Sequence, residues 1–206
     1  MAKLIYHPNY NIGFLGLENL HPFDSKKYGR AYQALEATFG KQLATNLLIP
    51  NHPVTKNELL TIHSQMYLDQ LRAPGYASQV LEVPLLKYLP SWVIDNYVLE
   101  PMRWATQGSI LAAEAALTSG LAINLSGGYH HAKTDKGEGF CAYSDIALAV
   151  HFVRQGGLLS PEDRIVYIDL DAHQGNGVCH CFLNDPSLHI FDIYNENIYP
   201  AYDTVA

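Results

Sequence analysis

Tyr167-Ile-Asp-Leu-Asp-Ala-His-Gln-Gly-Asn-Gly177 sets Asp169, Asp171 and His173 two residues apart behind the apolar run Ile165-Val-Tyr-Ile168. Side chains two apart on an extended chain point to one face. A buried strand here ends by presenting two carboxylates and an imidazole to the same side, then meets a turn holding Gly175 and Gly177. Carboxylate plus neutral imidazole is ligand chemistry for a borderline divalent metal, zinc above all. A lone Asp after a strand commonly caps the following helix. Three such groups in register outweigh that plainer role.

A second constellation lies upstream. The apolar run Leu121-Ala-Ile-Asn-Leu125 leads into Ser126-Gly-Gly-Tyr-His-His131, and a polar loop through Glu138 leads into Gly139-Phe-Cys-Ala-Tyr-Ser-Asp145. A single buried histidine is usually a hydrogen-bonded core residue, whereas a pair must place at least one ring elsewhere. Histidine is also the side chain best suited to moving protons near neutral pH. Gly127 and Gly128 allow a tight turn in front of the pair.

Short apolar runs at 4–6, 121–125, 164–169 and 188–193 predict strands. Helical spacing predicts helices over 28–40, 56–72, 92–97, 101–119, 142–155 and 177–183. Thr55-Lys-Asn-Glu58 fits a capping box, Gly120 a helix stop, and 74–90 reads as loop. The alternation implies an α/β fold, a mostly parallel sheet with helices on both faces. Functional groups then belong beyond the carboxyl ends of the strands, where both motifs fall.

Together these segments resemble the zinc-dependent histone deacetylase family with its arginase/deacetylase fold, most closely class IV. The resemblance rests on Gly-Gly-Tyr-His-His at 127–131, Gly-Phe-Cys-Ala-Tyr at 139–143 and Asp-Leu-Asp-Ala-His-Gln-Gly-Asn-Gly at 169–177. Weaker matches are Gly16-Leu-Glu-Asn-Leu-His-Pro-Phe-Asp24, Phe191-Asp-Ile-Tyr-Asn195 and Ile198-Tyr-Pro200. It implies a hydrolase that removes an acyl group from acyl-lysine in a protein or peptide, or from an acylated polyamine. By the same resemblance Asp171 and His173 match two of three zinc ligands. His130 and His131 match the paired histidines beside the attacking water, the second being the general base. Asp169 matches an acid that orients His130 and, with Asp192, holds a structural monovalent cation, potassium. Gly139 and Phe140 match the wall of the acyl-lysine channel, and Asn176 the residue behind His131.

Many family members carry a second His and a further Asp where this chain has Gln174 and Asn176, and the Gln-Gly-Asn-Gly form is what resembles class IV. The family's third zinc ligand and its carbonyl-polarising Tyr lie further downstream than Ala206. The 206 residues are therefore expected to be one domain, the N-terminal portion of the catalytic domain, and inactive alone. Asp203 is too near the end to substitute.

A net charge of −7 argues against general nucleic-acid binding. The three cysteines, an odd count without framework spacing, point to a reducing compartment. With no leader-like opening and no apolar run of about 20 residues, a cytoplasmic protein with no membrane partner is expected. Cys179-His180-Cys181 is too closely spaced for a structural zinc site. His7, His21 and His63 are each better explained as hydrogen-bonded structural residues.

Two rivals compete with the deacetylase reading. An arginase-type ureohydrolase needs a second Asp at position 175 to bridge two manganese ions, and that residue is Gly175. A non-catalytic pseudoenzyme or binding module keeps only the half-site.

Overall fold

The computed structural model describes residues 2–13 and 24–200. The motif at 16–23, with His21, and Asp203 lie outside them. Among the described residues, five parallel strands form two hydrogen-bonded groups. β1 (Lys3–Ile5) lies between β2 (Leu47–Leu48) and β3 (Ala122–Asn124), pairing Leu4 with Leu47 and with Ile123. β4 (Ile165–Asp169) pairs with β5 (Leu188–Asp192), setting Asp169 directly opposite Asp192. All these strands end toward the loops that carry the motifs. The α/β class expected from the alternation is the class found.

The long helix Glu100–Ser119 packs on β1, on β3 and on the helix Asp145–Gln155, and it ends at Gly120. It is continuous with Ser91–Ile94 through a wide π-type turn at Asp95–Leu99, where the sequence predicts a separate short helix. Pro101 has no N–H for the regular ladder, and a wide turn just before it accommodates that gap. The core beneath these helices includes Tyr10, Tyr67, Leu71, Leu81, Met102 and Leu148. The outer faces of β4 and β5, with Val166, Ile168 and Phe191, are exposed.

Several predicted bounds shift for identifiable reasons. The loop expected at 74–90 contains the helix Pro74–Val80 and the 3-10 turn Pro84–Tyr88. Each proline occupies a first helical position, where it starts a helix rather than breaking one. Ala77, Val80 and Leu81 supply the buried face. The helix expected over 56–72 splits into Lys56–Leu59 and Gln65–Leu71. Both bonds of the Thr55–Glu58 capping box are made, and the Ser64 hydroxyl then caps the second helix by accepting the Tyr67 N–H.

His63 sits in that break. It is buried, and its Nε2 accepts the Ser144 N–H at 3.0 Å, so it is structural, like His7, which caps a turn by accepting the Asn9 N–H. Burial lowers the His63 pKa from 6.5 to about 4. The unfolded chain therefore binds the extra proton between those values, and the folded chain is at a disadvantage there. The contribution is complete above pH 6.5 and is lost progressively as the pH falls toward the folded value, by up to about 3 kcal/mol. Urea unfolding at pH 7 and pH 5 should show this loss, and His63→Gln, which keeps an acceptor without a titrating ring, should flatten it.

Candidate active site

Beyond β3 the chain turns through Gly127 and Gly128 and delivers Tyr129, His130 and His131. Asp145, fully buried at the first position of its helix, holds this turn in place. Its Oδ1 accepts the Tyr129 N–H, and its Oδ2 accepts the Gly128 N–H, each at 2.8 Å. Oδ2 also accepts the Ser109 hydroxyl at 2.5 Å. Burial pushes the Asp145 carboxyl up, opposed by those hydrogen bonds. The sequence reading assigned Asp145 no role. A carboxylate opening an apolar helix was the available signal.

The two rings of the pair meet different partners. His130 Nδ1 lies 2.7 Å from Asp169 Oδ2, and Asp169 also accepts the Tyr167 hydroxyl and the Asp171 N–H. Burial alone would raise the Asp169 pKa, but these bonds hold it at about 2. His130 is likewise opposed by burial, yet the Asp169 bond and the carboxylates of Asp169, Asp171 and Asp192 leave its pKa above the ordinary value. His131 Nδ1 lies 2.8 Å from Asn176 Oδ1, a neutral partner, and burial lowers its pKa, as do the His130 and His173 rings. Neighbouring rings with opposite shifts suit complementary proton roles.

Asp171 and His173 follow β4 on the exposed side. Asp171 Oδ1 accepts the His173 N–H at 2.8 Å and lies 2.9 Å from His173 Nδ1, while His130 Nε2 is 3.9 Å away. The His131 ring is centred 4.1 Å from His130 and 5.9 Å from His173. These groups border a cavity of about 540 Å³, whose lining includes Gly139, Phe140, Tyr199, Met102, Tyr28 and Tyr129. Every expected residue of the zinc half-site and the channel wall therefore converges on one cavity. Asn176 and Asp169 stand behind it, and Asp192 lies opposite Asp169. Tyr199, whose ring meets that of His131 edge-on at 5.1 Å, was not singled out from the sequence, although Ile198-Tyr-Pro200 lay within a weaker match.

The histone deacetylase domain family matches residues 21–206. The chain belongs to that family. It is 39% identical over 199 residues to histone deacetylase 2 of Arabidopsis thaliana, covering 97% of this chain and 50% of the relative. It is 27% identical over 204 residues to the acetoin utilization protein AcuC of Bacillus subtilis, covering 96% and 50%. Probable histone deacetylase 1-B of Xenopus laevis is 28% identical over 188 residues, covering 87% and 37%. The chain spans about half the length, or less, of these curated relatives.

Asp171 Oδ1 and His173 Nδ1 stand 2.9 Å apart, and carboxylate oxygen and imidazole nitrogen are both donor types that zinc takes. Among the described residues no group of three His, Cys, Asp or Glu side chains is placed to hold a metal ion. Asp192 Oδ2 accepts the Gly175 N–H at 2.7 Å, while its buried Oδ1 has no hydrogen-bond partner among the described residues. Burial pushes the Asp192 carboxyl up, and the nearby Asp169 charge adds to this. At Gly175, a Cβ would lie 2.5 Å from Asp169 Oδ2, so the bridging Asp of a ureohydrolase has no room.

Gly139 bears on His131 directly. Its φ is +56°, and a Cβ there would collide with the His131 ring. Gly139→Ala should therefore combine backbone strain of about 1–3 kcal/mol with displacement of the ring. Denaturant midpoints should fall accordingly.

Proposed function

We propose that the protein carrying this chain is a zinc-dependent hydrolase that removes an acyl group from the amide nitrogen of acyl-lysine, in a protein or peptide, or of an acylated polyamine. The observation that carries this reading is the convergence of His130 and His131 with Asp171 and His173 on one channel-like cavity. The names of its relatives, histone deacetylase and acetoin utilization protein, support it.

When bound by Asp171, His173 and a further ligand, zinc would polarise the amide carbonyl and make water acidic enough to give up a proton near neutral pH. The chain's own residues do the rest. His131 has Nδ1 engaged by Asn176, which leaves Nε2 to take the proton from the attacking water and deliver one to the leaving amine. His130, held by Asp169, keeps positive character beside the site and favours the negative charge that develops on the carbonyl oxygen. Phe140, Gly139 and Tyr199 wall the channel for the lysine stem. The amide splits into a free amine and a carboxylate.

Gln174 and Asn176, both buried, support a class IV assignment. The Asp169–Asp192 pair, with one oxygen unpartnered, suits a potassium ion that offsets two facing carboxylates. Free Cys141, Cys179 and Cys181 fit a reducing, cytoplasmic setting. Among the described residues no helix is long and apolar enough to cross a membrane.

His131→Ala should lower kcat by ~100-fold or more while leaving zinc stoichiometry unchanged. Turnover of an acetyl- and fatty-acyl-lysine peptide panel, with metal content measured in parallel, checks this. Wild-type kcat in the variant would remove His131 from the mechanism.

A second reading, a non-catalytic binding module, draws on the two-donor geometry at Asp171 and His173. Two protein ligands hold zinc weakly. Calorimetric zinc titration of the 206-residue chain should accordingly show weak binding and negligible amide hydrolysis. Tight stoichiometric zinc with turnover would show that a residue within the chain completes the site.

A further inference from the structure

We propose that Glu138 is a positioning residue for His131, fixing through Asn176 which nitrogen of that ring carries the proton. The inference rests on the hydrolase reading above and adds to its site a residue outside the zinc and double-histidine motifs.

Glu138 lies in the loop just before the channel wall, with its side chain only 14% exposed. Lys133 Nζ stands 3.0 Å from its Oε1, and Lys136 Nζ stands 2.5 Å from its Oε2. An ammonium offers only donors, so both oxygens of Glu138 act as acceptors and the carboxylate is ionised. Lys133 is itself buried, which makes the pair a fixed feature of the interior rather than a surface contact. Hydrogen bonds from Lys136, Lys133 and Asn176 outweigh burial and keep the Glu138 pKa below its usual value.

Asn176 bridges this carboxylate to the histidine. Its side chain is completely buried, with Nδ2 2.9 Å from Glu138 Oε1 and Oδ1 2.8 Å from His131 Nδ1. A carboxamide has a donor end and an acceptor end of nearly the same shape, so by itself it can face a ring nitrogen either way round. Glu138 removes that freedom, because a carboxylate can only accept and so claims the Nδ2 end. The Oδ1 end is left for His131, and an acceptor opposite Nδ1 requires a proton there. The lone pair of the neutral ring then sits on Nε2, where base catalysis needs it. A carboxylate at position 176 would accept from the ring unaided. An amide needs a second group to orient it, and Glu138 is placed to be that group.

The competing role for Glu138 is purely structural, as the counter-ion of Lys133 and Lys136 and a prop for the Tyr199 hydroxyl. Two substitutions separate the roles. Glu138→Gln removes the charge from both ion pairs but keeps a carbonyl oxygen able to accept from Asn176. Glu138→Met, of similar size, removes the acceptor as well.

The test uses the zinc-loaded full-length protein that carries this chain, labelled with 15N-histidine, at a pH where His131 is neutral. Two-bond 1H–15N correlations report which nitrogen is protonated, and kcat and KM are measured on an acetyl-lysine peptide. Wild type and Glu138→Gln should show the proton on Nδ1. Glu138→Met should move it toward Nε2 and lower kcat by roughly tenfold with little change in KM, a larger loss than in Glu138→Gln. If the two variants behave alike in tautomer and kcat, Glu138 serves only its lysines and the inference is overturned. A wild-type His131 with its proton on Nε2 overturns it without any variant, including where Glu138→Met does not fold. Should the protein hydrolyse no acyl-lysine peptide, the hydrolase reading fails while the tautomer still reports on Glu138.

Discussion

The buried hydrogen bond between His130 Nδ1 and Asp169 Oδ2 joins the turn that follows β3 to the carboxyl end of β4, two segments that share no strand pairing among the described residues. It is reinforced nearby, where the Val178 N–H reaches the His130 carbonyl at 3.1 Å. An ionised carboxylate and an imidazole taken out of water are costly to separate, because either one left alone would be an unpaired buried polar group. The two halves of the site are therefore held in one relative position by their own chemistry. Asp145 acts the same way one turn earlier, tying the glycine turn to the helix beneath it.

From that constraint the division of labour between the histidines follows. His130 and His131 are adjacent in the chain and centred only 4.1 Å apart, yet one faces a carboxylate and the other a carboxamide. A charged partner favours the imidazolium, while a neutral partner in a buried setting favours the free base. The difference lies wholly in the partners, which arrive from β4 and from the helix Asn176–Cys181. Glu138, itself locked by Lys133 and Lys136, holds the donor end of Asn176 and so gives the amide a defined orientation.

The same economy appears in the glycines that border the site. Gly139 is flat against the His131 ring, and Gly175 leaves room for Asp169 and Asp192 to face one another. A side chain at either position would occupy space already filled by a functional group. The absence of a bridging Asp at 175 is thus a packing requirement of this site, and it separates the chain physically from a two-manganese ureohydrolase.

Much of this was legible in the sequence. The apolar run before Asp169 gave the strand, but Asp171 and His173 lie beyond its end in a bend, so the alternation of extended chain does not itself place them. The capping box at Thr55 and the stop at Gly120 are local geometry and fell where expected. The prolines at 74 and 84 misled, because a proline reads equally as a breaker or as a first helical residue until buried neighbours decide. Glu138, Asp145 and Tyr199 carried no decisive local signal. Each acts on a residue many positions away, Asn176, Gly128 and His131 respectively, and such contacts exist only once the chain is folded. The sequence determined which chemical groups stand at the ends of the strands. Tertiary structure alone decided which partner each group meets, a carboxylate for His130 and a carboxamide for His131, since those partners come from distant segments that only the folded chain brings together.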